Sequence, residues 1–142
     1  MEALRRLTSD LDLSSWVTFA GFLAPHQVRD AYGDADVYVS GSVQEGFSIA
    51  LLEALSSGVP VVGFDVGGIT EVVRQGCTGW VVDKMSSEDL ANGVARLLPV
   101  DETMREECRG VAKAYSSERI ASRVMNVLQG AARRMSLDAE VA

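Results

Sequence analysis

The chain has 142 residues, 47% of them hydrophobic, and a formal net charge of -7. That length fits one domain with a real core and is short for a two-domain enzyme. The charge argues against nucleic acid, where a basic face supplies the affinity, and leaves any anion binding to local groups.

Leu4, Leu7 and Leu11 recur at helical spacing, so residues 1–12 read as an amphipathic helix. Open α/β domains usually begin with a strand, and a leading helix implies a segment before it. W-V-T-F-A (16–20) reads as a strand, followed by the loop G-F-L-A-P. Pro25 suits the first turn of a helix running through Tyr32, with Val28, Ala31 and Tyr32 inward. Gly33-Asp34 breaks it before D-V-Y-V-S (36–40), a second strand, where Asp36 is placed to hold backbone. V-P-V-V-G-F (59–64) is a third strand, β-branched and short. Between these two, Ser48 can cap a helix whose Ile49, Leu51, Leu52 and Leu55 supply apolar surface, and Gly58 then Pro60 stop it.

Further on, Asp65-Val66-Gly67-Gly68 reads as a loop with structural glycines, opening a short helix through Arg74 that Gly76 ends. T-G-W-V-V-D (78–83) is the last of four strands. Ser86 or Ser87 caps a helix with Leu90, Val94, Leu97 and Leu98 on its apolar face, halted by Pro99. Helices over roughly 102–114 and 117–134 follow, and residues 136–142 read as frayed. Strand and helix in alternation predict right-handed parallel crossovers, hence an α/β, doubly wound sheet. Cys77 and Cys108 read as free buried thiols, and one histidine, His26, gives no cluster for a metal. No apolar run approaches the ~20 residues of a membrane span, no signal peptide is visible, and the expected compartment is the cytoplasm.

The stretch from Glu45 to Glu53, E-G-F-S-I-A-L-L-E, carries the most chemistry. It would lie at the carboxyl end of a parallel strand, where α/β sheets bind ligands. The N–H groups of Gly46, Phe47, Ser48 and Ile49 would be free at the helix start, suited to an anion such as phosphate. An ionised carboxylate accepts two hydrogen bonds, and a ribose diol or sugar hydroxyl pair would supply them. A sugar carried on a nucleoside diphosphate needs all of these contacts together.

Six segments in order then carry a resemblance: V-T-F-A-G (17–21), A-D-V-Y-V (35–39), E-G-F-S (45–48), E-A-L-S-S-G-V-P-V-V (53–62), G-G-I-T-E-V-V (67–73) and T-G-W-V-V (78–82). The chain resembles the retaining GT-B glycosyltransferases of the family 4, glycogen-synthase-like type, whose paired glutamates match Glu45 and Glu53. The resemblance implies a Rossmann-like parallel sheet flanked by helices, part of a GT-B C-terminal domain spanning residues 1–142. It implies that Glu53 holds the ribose hydroxyls of UDP or GDP. Glu45 would lie near the donor sugar and reacting centre as the catalytic residue. Gly46, Phe47, Ser48 and Ile49 would cradle the diphosphate and sugar, and the backbone of Leu23 would meet the base. Ser48 departs from the family's usual glycine, with backbone donors unaffected.

The family's domain has six strands in the order 3-2-1-4-5-6, and only the part after its second strand has a counterpart here. Its first two strands, the Arg and Lys that neutralise the leaving diphosphate, and the acceptor-binding N-terminal domain are expected to lie outside the chain. Arg5 and Arg6 sit in the wrong element to replace that pair. The implied function is sugar transfer from an NDP-sugar to an acceptor once the rest of the enzyme is present. The alternatives are a non-catalytic nucleotide-binding or structural module pairing with a separate acceptor-binding chain, and an epimerase of the same fold. The expected partners are the nucleotide sugar, the acceptor domain or partner chain, and a second copy through exposed edges. No cofactor and no metal are expected. A full-length enzyme would lie in the cytoplasm or peripherally at the inner membrane surface. The C-terminal helix would ordinarily cross the acceptor domain, leaving Ile120, Val124, Val127 and Leu128 under-covered.

Overall fold

The computed structural model describes residues 1–83 and 85–140, with side chains described as far as residue 134. In order it contains α1 (Glu2–Asp10), α2 (Pro25–Gly33), β1 (Tyr38–Ser40), α3 (Ile49–Ser56), β2 (Val61–Phe64), α4 (Ile69–Val72), β3 (Gly79–Val82), α5 (Ser87–Leu97), α6 (Glu102–Ala114) and α7 (Ser117–Glu140). The three strands form one parallel sheet in the order β1-β2-β3, with Tyr38 opposite Val61 and Val61 opposite Gly79.

β2 is central and all four of its residues are buried, as its run of apolar residues requires. Alternate side chains leave a strand on opposite faces. Val61 joins Leu51, Leu55, Cys108 and Val111 from α3 and α6 in one core. Val62 meets α5, where Gly93 comes so near that a Cβ would stand 2.8 Å from Val62 Cγ1. Helices therefore cover both faces, giving a Rossmann-like α/β architecture.

Several boundaries follow from identifiable caps. Pro25 occupies the first turn of α2, with Ala24 N–H bonded to Gln27 Oε1 at 2.9 Å. Ser86 Oγ accepts from Asp89 N–H at 3.0 Å, and Asp101 Oδ1 from Met104 N–H at 2.8 Å, starting α5 and α6. Gly58, at φ +81°, closes α3 in the left-handed region.

The expected strand at 16–20 does not form; these residues belong to no sheet, and the sheet has three strands rather than four. A strand exists only through its ladder, and among the described residues no other strand lies beside this run. Trp16 is 84% exposed. The run's support is local: the N–H groups of Trp16 and Val17 bond to Leu13 carbonyl at 2.9 and 3.1 Å, and the Arg5 guanidinium of α1 stacks over Phe19, 4.7 Å from the ring centroid. Smaller corrections concern faces and ends. Ala31 is exposed where Val28 and Tyr32 are half-buried, because the inward arc of α2 is narrow. α4 stops at Val72 rather than Arg74, since Arg74 N–H turns to Thr78 Oγ1. Leu98 lies beyond α5 and is exposed, while α7 runs past 134 to Glu140. Residues 141 and 142, the end of the segment read as frayed, lie outside the described residues. Asp36 holds no backbone group; its carboxylate pairs with Arg105 at 3.2 Å. Cys108 is buried as expected, and Cys77 is exposed because it lies in the turn before β3.

The two edges of the sheet differ. On β3 the outward N–H and carbonyl of Val81 both bond to the Gln75 side-chain amide, at 2.8 and 3.1 Å, and Gly76 N–H bonds to Gly79 carbonyl at 2.9 Å. Among the described residues no strand flanks the outer side of β1, where Val39 is 46% exposed. α1 buries no residue, and Leu4, Leu7 and Leu11 are exposed. On α7, Ile120, Val124, Val127 and Leu128 line a hollow open to solvent. No helix among the described residues is long and apolar enough to cross a membrane.

Candidate functional site

β1 ends at Ser40 and α3 begins at Ile49, so residues 41–48 form a loop at the carboxyl end of a parallel strand. Ser48 is the N-cap of α3, with extended backbone, but its hydroxyl accepts no capping bond. The first-turn N–H groups therefore have no intrahelical acceptor and no side-chain cap. Glu45, Gly46, Phe47 and Ile49 are exposed and Ser48 is half-buried.

The loop rests on the turn before α4. Gly68 N–H donates to Gly46 carbonyl at 2.8 Å. Gly67 has φ +55°, and a Cβ there would collide with the carbonyl oxygens of Glu45 and Gly46. A Cβ on Gly68 would strike the Phe47 ring. Both glycines are thus structural, as expected, and the reason is the close approach of the loop. Phe47 also leans on Tyr115, with ring centroids 5.9 Å apart, and Tyr115 Oη donates to Glu71 carbonyl at 3.1 Å.

Glu53 lies one turn into α3, exposed, between two hollows. One, of about 190 Å³, lies towards α2 and is lined by Pro25, Val28, Arg29 and Tyr32. The other, of about 420 Å³, lies towards α6 and includes Ser56, Arg109, Lys113 and Tyr115. Arg109 is engaged by Glu102.

Tyr38 on β1 brings the two glutamates into one field. Burial pushes its phenol above the ordinary value, and the carboxylates of Glu45 and then Glu53 push it further the same way. Tyr32 responds in the same direction, through burial first, then Tyr38 and Glu53. The two rings meet edge to face at 6.0 Å, and Tyr32 Oη donates to Ala50 carbonyl at 3.3 Å, tying α2 to the first turn of α3.

The structure therefore gathers Glu45, Gly46, Phe47, Ser48, Ile49 and Glu53 at one end of the sheet. Leu23 stands in the segment just before α2, half-buried. Sequence reasoning misses Tyr32, Tyr38, Tyr115 and the cations Arg109 and Lys113. Tyr32 and Tyr38 read locally as helix and strand core, Tyr115 falls in the break between two helices, and α6 is 50 residues or more beyond the loop.

The sequence profile of the family described as glycosyl transferases group 1 matches residues 2–115. The GDP-mannose-dependent alpha-(1-6)-phosphatidylinositol monomannoside mannosyltransferase of Mycobacterium tuberculosis is 37% identical over 105 residues, 69% of this chain and 27% of that protein. Among solved structures, sucrose-phosphate synthase from Thermosynechococcus elongatus superposes with a TM-score of 0.82, at 26% identity over 94% of this chain and 34% of that one. Anabaena Alr3699/HepE in complex with UDP gives 0.73, at 26% identity over 91% of this chain and 36% of that one. The chain spans between 25% and 34% of the length of the curated relatives it matches first.

Proposed function

The chain belongs to the glycosyl transferases group 1 family, and from that premise we propose that it is the donor-binding part of a retaining glycosyltransferase. It would act with an acceptor-binding part to move a sugar from a UDP- or GDP-sugar to an acceptor, on the cytoplasmic side of the cell. The observation that carries this reading is the uncapped start of α3 between Glu45 and Glu53.

Each group has a task that its chemistry suits. Glu53 accepts hydrogen bonds from the two ribose hydroxyls. The N–H groups of residues 46–49 receive the diphosphate, aided by the positive end of the α3 dipole. Glu45 borders the donor sugar, where a carboxylate stabilises positive charge developing at the anomeric carbon. The backbone of Leu23 meets the base. As the glycosyl bond breaks, the diphosphate takes up negative charge, and the free N–H groups meet it without reorganising. No metal and no cofactor enter this scheme. Two relatives bear on the base by their names alone, one GDP-mannose-dependent and one bound to UDP.

The test is an amide-resolved NMR titration of the chain with UDP, GDP, uridine and guanosine. The diphosphates should move the amide signals of Gly46 to Ile49, and the bare nucleosides should leave those four in place. If UDP and GDP leave them unmoved up to tens of millimolar, about ten times a millimolar dissociation constant, the donor-site reading is wrong.

A further inference from the structure

Phe47 is a partly exposed residue and the one aromatic side chain in the 41–48 loop, yet it is not loose. Gly68 leaves room for its ring by lacking a Cβ, and Tyr115, at the end of α6, packs beside it at 5.9 Å between centroids. The Tyr115 hydroxyl is itself fastened, donating to the carbonyl of Glu71 on α4 at 3.1 Å. The backbone of the loop is held separately by the Gly68 N–H on Gly46 carbonyl. Without Tyr115 that bond and the contacts with Gly67 and Gly68 would be the remaining described restraints on residues 45–47. Ser48 contributes none through its hydroxyl.

We propose that Tyr115 is a positioning residue for the donor loop. Through the ring of Phe47 it sets where Glu45 and the N–H groups of 46–49 stand. The proposal rests on the donor-site reading for its functional consequence but not for its mechanical one. The ring supplies the contact, and the hydroxyl orients the ring. Phe at 115 therefore keeps most of the effect, while Ala loses it. A tilted aromatic pair at this separation contributes beyond the area it covers, and its loss here would free a loop rather than open the core. Tyr115 also ends the helix that leads into α7: Tyr115 N–H bonds to Ala112 carbonyl and α7 starts at Ser117. The donor loop is thus braced from a point 70 residues further along the chain than Glu45.

The experiment compares the full chain with Tyr115→Phe, Tyr115→Ala and Leu97→Val, the last a core change on α5 that lowers stability without touching the loop. Two quantities are read: hydrogen exchange at amides 46–49 without ligand, and UDP and GDP affinity. Tyr115→Ala should speed exchange at these amides and weaken nucleotide binding by about tenfold. Tyr115→Phe should stay within about twofold of wild type, and Leu97→Val should leave affinity unchanged at matched thermal midpoint. Unchanged exchange in Tyr115→Ala overturns the proposal, as does a Phe variant that behaves like Ala or a Leu97→Val loss of equal size. If wild type binds neither nucleotide while Tyr115→Ala still loosens 46–49, the brace stands and the donor-site reading falls.

Discussion

Glu53 shows how far a single residue can be read from its neighbours. Its place after Ile49, Leu51 and Leu52 puts it on a helix anchored by leucines, and the structure leaves its carboxylate exposed between two hollows. If it holds the ribose, Glu53→Gln should weaken UDP or GDP binding by about 1–3 kcal/mol, the range for a hydrogen bond to a charged group. Calorimetric titration with the fold checked by circular dichroism decides it, and unchanged affinity would remove the ribose role. Spacing alone pairs Glu53 with Glu45. It cannot reveal Tyr38, whose phenol feels the charge of both only after β1 and α3 have been brought together. Cys108 gives a prediction independent of any ligand. Burial raises its thiol from 9.0 to about 11, against the weaker pull of Arg105 and Arg109. The folded state keeps the proton that the unfolded chain loses, so this contribution is whole below about pH 9 and lost as pH rises towards 11. Stability should fall by roughly 1.4 kcal/mol per unit in that window at most. In urea melts at pH 8 to 11, Cys108→Ala should flatten this part of the slope; an unaltered slope would refute the assignment.

At the scale of elements, caps carry the message and pairing does not. The start of α5 is legible because Ser86 binds an N–H group that its helix leaves free, and the structure adds Asp101 in the same role at the start of α6, which spacing places near residue 102. Asp101→Ala should cost about 1 kcal/mol, seen as a lower urea midpoint with unchanged slope; no change would mean that α6 is held by packing on α3 alone. Residues 16–20 have the composition of a strand, but a strand requires a neighbour that the local sequence does not name. The β1–α3 loop lies between these cases. Its position follows from the glycines and Ser48, whereas its support from Gly67, Gly68 and Tyr115 depends on elements distant in sequence. Gly67→Ala tests that support: a left-handed φ and a clash with two carbonyls should cost about 1–3 kcal/mol. A thermal midpoint equal to wild type would show that the loop moves aside freely.

Across the whole molecule, the sheet and its two helical layers are legible from alternation and from six ordered segments. So is the apolar surface left outside, through the helical spacing of α1 and the under-covered face expected of α7. Leu4 and Leu7 on α1, Leu11 at its C-cap, and Val124, Val127 and Leu128 on α7 are all exposed, and contiguous apolar surface favours association. The chain should elute above its monomer mass of 15.2 kDa in light-scattering chromatography, increasingly so with concentration. A monodisperse monomer would show that these stripes are too narrow to drive contact. On the donor-site reading, transfer also needs charge neutralisation at the diphosphate and a held acceptor. Losing one preorganised donor costs about 10²–10³ in rate. Radiolabelled UDP- and GDP-sugars offered to a panel of acceptors should therefore give no measurable transfer by this chain alone. Turnover near 1 per second, the low end of ordinary rates, abolished by Glu45→Ala, would show that the chain suffices.

The Gln75 amide gives the sheet a direction of growth. By occupying both outward groups of Val81 it acts as a one-residue imitation of a neighbouring strand, so β3 is a terminus and further strands can join only beside β1. Gln75→Ala would remove that stopper and expose a donor and an acceptor on a flat run of Trp80, Val81 and Val82. Such an edge templates pairing between chains. The variant should form thioflavin-binding assemblies at concentrations where the parent chain forms none, and equal behaviour would mean that the turn at Gly76 is barrier enough.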